Sequence, residues 1–382
     1  MGHTVSLCIL MRTHGSRESE GDRERMEWTS EQRSHALLNL REKHVVTIGG
    51  GTGPFALLST LKRHECGITA VVTMSDSGGS SRRLMDEFGT LPVGDLRQAL
   101  VALSRKGPLW RDVFTHRFGE NGVTNGGGKA SNGSSTNEQP GISGHSLGNL
   151  IIAALQELNK GNLLHAIEDA QQLLDTAGKV APVTLAHATL CAELEDGSVI
   201  EGETVIDTRG EKNSGLLPPI RHIFLKEPAP ACDEALRAIR RADVIVIGPG
   251  DLYTSILPNF VVDGIAEAVR ASDAQKVYVC NLMTKHGETD GYRASDFVRT
   301  VNEYLGGRVD RVVVHDGVFP EHLRERYAND GQHPVEPDAA ELARIAPEVV
   351  IDSLLAVYQD TYVRHDAARL LQAIFTPMIY LG

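Results

Sequence analysis

Five short runs of almost uninterrupted apolar, mostly β-branched residues set the limits on this chain: 45–49 (VVTIG), 68–74 (ITAVVTM), 243–248 (DVIVIG), 276–281 (KVYVCN) and 311–315 (RVVVH). A strand with one face in water alternates apolar and polar residues. Continuous runs of this length suit strands buried on both faces, which is the situation of a parallel sheet covered by helices. Helix-length amphipathic segments separate the runs, among them FALLSTLKRH (55–64), DLRQALVALS (95–104), LGNLIIAALQELN (147–159), LLHAIEDAQQLL (163–174), CDEALRAIRRA (232–242) and VVDGIAEAVRAS (261–272). The pattern predicts an α/β fold, three layers deep (α/β/α), around a mostly parallel sheet. Residues 183–206 differ, because two alternating runs meet at Asp196-Gly197, a pair favoured in tight hairpin turns. A small antiparallel hairpin insertion is expected there.

With 382 residues and 41% hydrophobic content, residues 44–382 can form a single domain with a large core. Residues 1–43 read as a flexible N-terminal extension: the apolar VSLCILM (5–11) lacks the basic flank and cleavage site of a signal peptide, and charged and polar residues follow it. Residues 119–144, rich in Gly, Ser and Asn with almost nothing apolar, read as a disordered surface loop. No stretch approaches the roughly 18 apolar residues of a membrane span. A net charge of −12 argues against nucleic-acid binding. The five cysteines are scattered and never paired as C-x-x-C, which indicates neither a disulfide framework nor zinc and fits a reducing, cytoplasmic setting.

Chemistry is concentrated in the loops that follow the apolar runs. GGGTGP (49–54) places Gly50, Gly51, Thr52 and Gly53 between a strand and a helix, where backbone amides can cradle phosphate and Pro54 suits the first helical turn. It is neither the complete dinucleotide fingerprint nor a Walker loop; a tight structural turn is the alternative. The next run ends in SDSGGSSRRL (75–84). Asp76 lies where a carboxylate commonly meets ribose hydroxyls, Ser77, Ser80 and Ser81 can donate to phosphate around Gly78 and Gly79, and an Asx turn capping a helix explains part of the pattern. Asp95 and Arg97 in PVGDLRQAL are candidates for a supporting layer, or equally a helix cap and an exposed arginine. In SGHSLGN, His145, Ser146 and Asn149 precede an apolar helix, so at least one is expected to cap it; the Ser/His pair lacks the strained elbow of a hydrolase. GPGDLYTSILPN supplies Gly250, Tyr253, Thr254, Ser255 and Asn259 for base or sugar recognition, and NLMTKHGET supplies Asn281, Thr284, Glu288 and Thr289. Glu288 could serve as a base to a hydroxyl within reach. Arg364 in RHD could close over a phosphate or form a surface ion pair. These loops would converge on the carboxyl edge of the sheet, where open α/β sheets bind ligands.

VTIGGGTGPFALLSTLK, SDSGGSSRRLMDEFGTLPVGDLRQALVAL, GHSLGNLIIAAL, GPGDLYTSILPNFVVDGIAEAV and NLMTKHGETDGY together resemble the gluconeogenesis factor family, a branch of the superfamily typified by 2-phospho-L-lactate transferase. The resemblance runs from about Val45 to Asp366 and implies a Rossmann-like core that binds a uridine nucleotide sugar such as UDP-N-acetylglucosamine. It implies a cytoplasmic regulator linking carbon metabolism to cell-wall precursor synthesis and cell shape, with a protein partner in that synthesis; a homo-oligomer is expected. The related transferase moves a phospholactyl-type group from a guanosine nucleotide to a flavin-like acceptor with Mg2+. No residue here demands catalysis or a cofactor, and 5% aromatic content ill suits a flavin pocket, which favours the regulator.

Overall fold

The computed structural model describes residues 40–119, 142–211 and 215–375. Its main sheet is built from β1 (His44–Gly49), β2 (Gly67–Val72) and β3 (Lys179–Pro182), and from β7 (Val244–Ile247), β8 (Gln275–Val279), β9 (Arg311–His315) and β10 (Glu348–Asp352). All seven strands are parallel, in the order β10-β9-β8-β7-β1-β2-β3. The expected strands are all present, and their apolar runs are buried because helices cover the sheet: β1 and β2 expose little beyond their first residues, and β9 is buried throughout. Within β9, Arg311 is neutralised by Glu348 at 2.7 Å and donates to the Ile374 carbonyl.

The chain winds outward from β1 through β2 to β3, leaves the sheet, and returns as β7 on the other side of β1. Val45 therefore pairs with Ile68 on one side and with Val244 on the other. The reversal makes β1/β7 the topological switch point, with a crevice expected outside its carboxyl ends.

The excursion holds a second sheet, β4 (Leu190–Leu194), β5 (Val199–Glu201) and β6 (Ile220–Leu225), antiparallel in the order β5-β4-β6. Its turn is the expected one: Asp196 Oδ1 accepts from the Ser198 amide at 2.9 Å and hydroxyl at 2.6 Å, and Gly197 adopts φ +85°. Near the C-terminus, β11 (Leu355–Tyr358) and β12 (Tyr362–His365) form an antiparallel pair that the sequence patterns did not indicate.

Two expectations need revision. The helix after the first glycine loop spans only Phe55–Leu61, with Pro54 at its cap, so it is a short element rather than one running to residue 64. Leu40, assigned to the extension, is 1% exposed and belongs to the hydrophobic core, and Lys43 pairs with Asp243 at 3.1 Å. Most of the extension (1–39) and of the glycine-rich loop (120–141) lies outside the described residues. Among the described residues, no helix is long and apolar enough to cross a membrane.

Candidate functional site

A crevice of about 780 Å3 opens at the switch point. Its floor is the two loops after β1 and β7, and they meet very closely. A methyl group on Gly53 would overlap the Pro249 carbonyl, and Gly51 holds φ +64° opposite Ser255. The first need of these glycines is thus the approach of one loop to the other; Gly51, Thr52 and Gly53 still face the open crevice. Gly50 does not reach it, being packed against Thr73 and Asp95.

On the β2 side, Gly78, Gly79, Ser80 and Ser81 open the helix Gly79–Phe88 and line the crevice with Asp76. Asp76 makes the Asx-type turn: it accepts from the Gly78 amide at 3.0 Å and the Ser81 hydroxyl at 2.7 Å. Ser77 turns away, its amide donating to Glu203 at 3.3 Å and its hydroxyl accepting from the Thr204 amide at 3.1 Å. Ser77 thereby ties the insertion's helix Glu203–Asp207 to the crevice wall.

Behind Ser80 lies a buried polar chain. Ser80 Oγ accepts from the Ser146 amide (3.2 Å) and the Asn149 side chain (3.3 Å), so its own proton is left for His145 Nδ1 at 3.2 Å. With both lone pairs engaged, Ser80 is a structural node rather than a nucleophile. Asn149 in turn accepts from Arg97 Nε at 2.8 Å, and Arg97 Nη1 donates to the Phe114 carbonyl at 3.2 Å. Arg97 is therefore a 5%-exposed residue lining the crevice, not a surface arginine. His145 and Ser146 are buried away from the crevice, and Ser146 precedes the helix Leu147–Leu158 without a side-chain cap.

On the β8 side, Lys285 binds Asp207, Asp251 at 3.0 Å and Glu288 at 2.8 Å, three carboxylates from three elements. Burial alone would lower its ammonium, but Glu288, Asp251 and Asp207 outweigh that and raise it. Glu288 is pushed up to about 8, chiefly by burial, with Lys285 opposing. It lies behind Lys285, outside the crevice lining. Thr289 accepts from the Lys285 amide at 2.9 Å, Tyr253 bonds Tyr292 at 2.8 Å, and Asn259 donates to the carbonyls of Ser255 and Ile256. These three, like Glu288, support the walls from behind. Gly250, Thr254, Ser255, Asn281, Thr284 and Arg364 do line the crevice, and Asn281 is held by the Gly250 carbonyl at 2.8 Å.

The crevice is less negative than its formal charges suggest. Asp95 is raised to about 7 by burial and by Asp76, against the pull of the Gly51 amide. Glu203 is likewise raised to about 7 by burial and then by Asp76 and Asp207. Both are partly protonated near neutrality and can donate, while Lys285 neutralises part of the remainder. Among the described residues, no group of three or more His, Cys, Asp or Glu side chains could hold a metal ion, and both Asp76 oxygens are already engaged.

Sequence reasoning passed over Asp207, Glu203, Asp251, Lys285, Arg117, Tyr327 and His365, all of which line the crevice. Asp251 and Lys285 were findable, since each stands in a loop at the carboxyl end of a strand next to the switch point. His365, held neutral by burial with a pKa lowered to about 4, and Tyr327 carry no local pattern.

The family model for 2-phospho-L-lactate transferase CofD matches residues 45–355. The gluconeogenesis factor of Halalkalibacterium halodurans is 41% identical over 338 residues, 88% of this chain and 96% of that protein. The gluconeogenesis factor of Bacillus subtilis is 40% identical over 324 residues, 84% and 94% of the two chains. A crystal structure of a UPF0052-family protein from Bacillus halodurans aligns with a TM-score of 0.77 at 39% identity, covering 87% of this chain and 99% of that one. Matched over most of its length in both sequence and fold, the chain belongs to the 2-phospho-L-lactate transferase CofD family, alongside its members named gluconeogenesis factors.

Proposed function

We propose that this protein is a gluconeogenesis factor that works by binding a UDP-sugar, UDP-N-acetylglucosamine, as a cytoplasmic regulator connecting carbon metabolism with cell-wall precursor synthesis and cell shape. The observation that carries the proposal is the switch-point crevice itself: a polar, backbone-lined volume of about 780 Å3, within the range of small-molecule sites. Binding without chemistry is supported by the state of the reactive groups. Ser80 has both lone pairs occupied, His145 is spent on Ser80, and Glu288 is shielded by Lys285. The diphosphate would rest against Gly51, Thr52 and Gly53, with Thr254, Ser255, Asn281 and Thr284 toward the base or sugar.

Transfer of a phospholactyl-type group from a guanosine nucleotide to a flavin-like acceptor is the second reading, favoured by the family match over residues 45–355. Isothermal titration with UDP-N-acetylglucosamine and with GDP plus Mg2+ separates the two. Selective binding of the uridine sugar, lost in Gly51→Asp, is the expected result; preference for GDP with Mg2+ would transfer the assignment to the transferase.

A further inference from the structure

Arg97 carries a charge into the interior and leaves one end of it unused. It is 5% exposed, and its stem passes over Gly148, where a methyl group would come within 2.7 Å of Arg97 Cδ. Nε donates to Asn149 Oδ1 at 2.8 Å and Nη1 to the Phe114 carbonyl at 3.2 Å. Among the described residues, Nη2 has no hydrogen-bond partner and no carboxylate forms an ion pair with the guanidinium, yet Nη2 is not sealed in the interior; it opens to the crevice that Arg97 lines. Burial lowers the guanidinium to about 10, which leaves it charged at neutral pH. Buried charges are ordinarily paired, because an isolated one forfeits its hydration.

A helix end beside Arg97 also lacks a partner. The helix Gly79–Phe88 begins without a side-chain cap, and Gly79, Ser80 and Ser81, whose amides open it, line the crevice. One carboxamide separates this helix end from Arg97: the Asn149 side chain that accepts from Arg97 donates to Ser80 Oγ at 3.3 Å. The first glycine loop adjoins both. Asp95, two residues before Arg97, takes the Gly51 amide, and Gly94 has no room for a methyl group beside Asp76 Oδ2 and Ser81 Oγ. Of the two carboxylates there, Asp76 has its oxygens engaged by the Gly78 amide and the Ser81 hydroxyl, and Asp95, raised by burial to about 7, is partly neutral.

We propose that Arg97 Nη2 and the first amides of the helix Gly79–Phe88 form the subsite for the sugar-side phosphate of the nucleotide sugar, so that the crevice selects a nucleoside diphosphate over a monophosphate. The inference rests on the reading that a UDP-sugar occupies the crevice, and it divides the diphosphate: the nucleoside-side phosphate lies on Gly51, Thr52 and Gly53, and the sugar-side phosphate on Arg97. Nη2 gives a charge-assisted hydrogen bond to one phosphate oxygen, and the helix amides take another. Asn149 and the Phe114 carbonyl hold the guanidinium in place beforehand, so little side-chain freedom is lost on binding.

UDP and UMP differ by one phosphate, so titrating each into the full chain reads the subsite without the sugar. The wild type should bind UDP about thirtyfold more tightly than UMP. Arg97→Gln should bring that ratio to within about threefold by weakening UDP and leaving UMP nearly unchanged, and Arg97→Lys, which keeps the charge and loses the fork, should fall between. A thermal melt of each variant reports whether it is folded; if Arg97→Gln is not, an undiminished ratio in Arg97→Lys overturns the subsite. Equal wild-type affinity for UDP and UMP overturns it too, as does a ratio that survives in folded Arg97→Gln, including one kept while both ligands weaken alike, the mark of a purely structural arginine. These results leave the proposed function standing. Failure of UDP, UMP and UDP-N-acetylglucosamine to bind overturns the two together.

Discussion

Gly53 and Lys285 border the same crevice and are held there by opposite means. Around Gly53, two backbone loops are in contact with no room for a side chain, and position follows from shape alone. Around Lys285, the insertion's Asp207, the β7 loop's Asp251 and the β8 loop's Glu288 are gathered by one charge. The floor of the site should therefore be insensitive to pH and salt, and the flank sensitive to both.

The comparison breaks most visibly at the flank. Lys285→Met leaves buried Glu288 unpaired and should cost about 3 kcal/mol in urea unfolding at pH 8, because removing one member of a buried ion pair strands the other. The loss should shrink at lower pH as Glu288 takes up a proton. A loss that stays constant from pH 8 to pH 6 would show that packing, not charge, holds the flank. Gly53→Ala should cost about 2 kcal/mol through overlap with the Pro249 carbonyl, with no pH dependence. A third test concerns Asp95 and Glu203. Their carboxyls are raised from ordinary values of 3.8 and 4.5 to about 7, so between about pH 4 and 7 the folded state binds more protons than the unfolded one. Stability should fall as pH rises through that window, and Asp95→Asn should flatten part of the slope. An unchanged slope in that variant would remove Asp95 from the account.

The same division explains what could be read before the structure. Steric features leave compositional marks: continuous β-branched runs announced the buried strands, Asp196-Gly197 announced its turn, and the glycines at 50, 51 and 53 announced a close approach. A glycine records that something comes near without recording what, and at Gly53 it is the Pro249 carbonyl. Charge clusters leave fainter marks. Asp207 and Lys285 are 78 positions apart in the chain, and nothing local in either neighbourhood points to the other. Ser80 and His145 likewise meet only through the fold, and so the serine expected to donate to phosphate serves as a junction between helices. β11 and β12 lacked a long alternating run, so His365 came to the crevice unannounced with that hairpin, as did Tyr327 of the helix Glu321–Asn329, its hydroxyl accepting from the Val363 amide at 3.0 Å.

The order of the sheet also has a consequence for biosynthesis. β1 pairs with β2 across a short stretch of chain but must wait for β7, which follows roughly 200 residues later. At ribosomal speeds of about 5–20 residues per second, one edge of β1 stays open for tens of seconds, longer than most local structure takes to form. Until β7 emerges the nascent chain has the β1 and β2 loops but not the loop after β7 and so no crevice, and ligand can assist only the last stage of assembly.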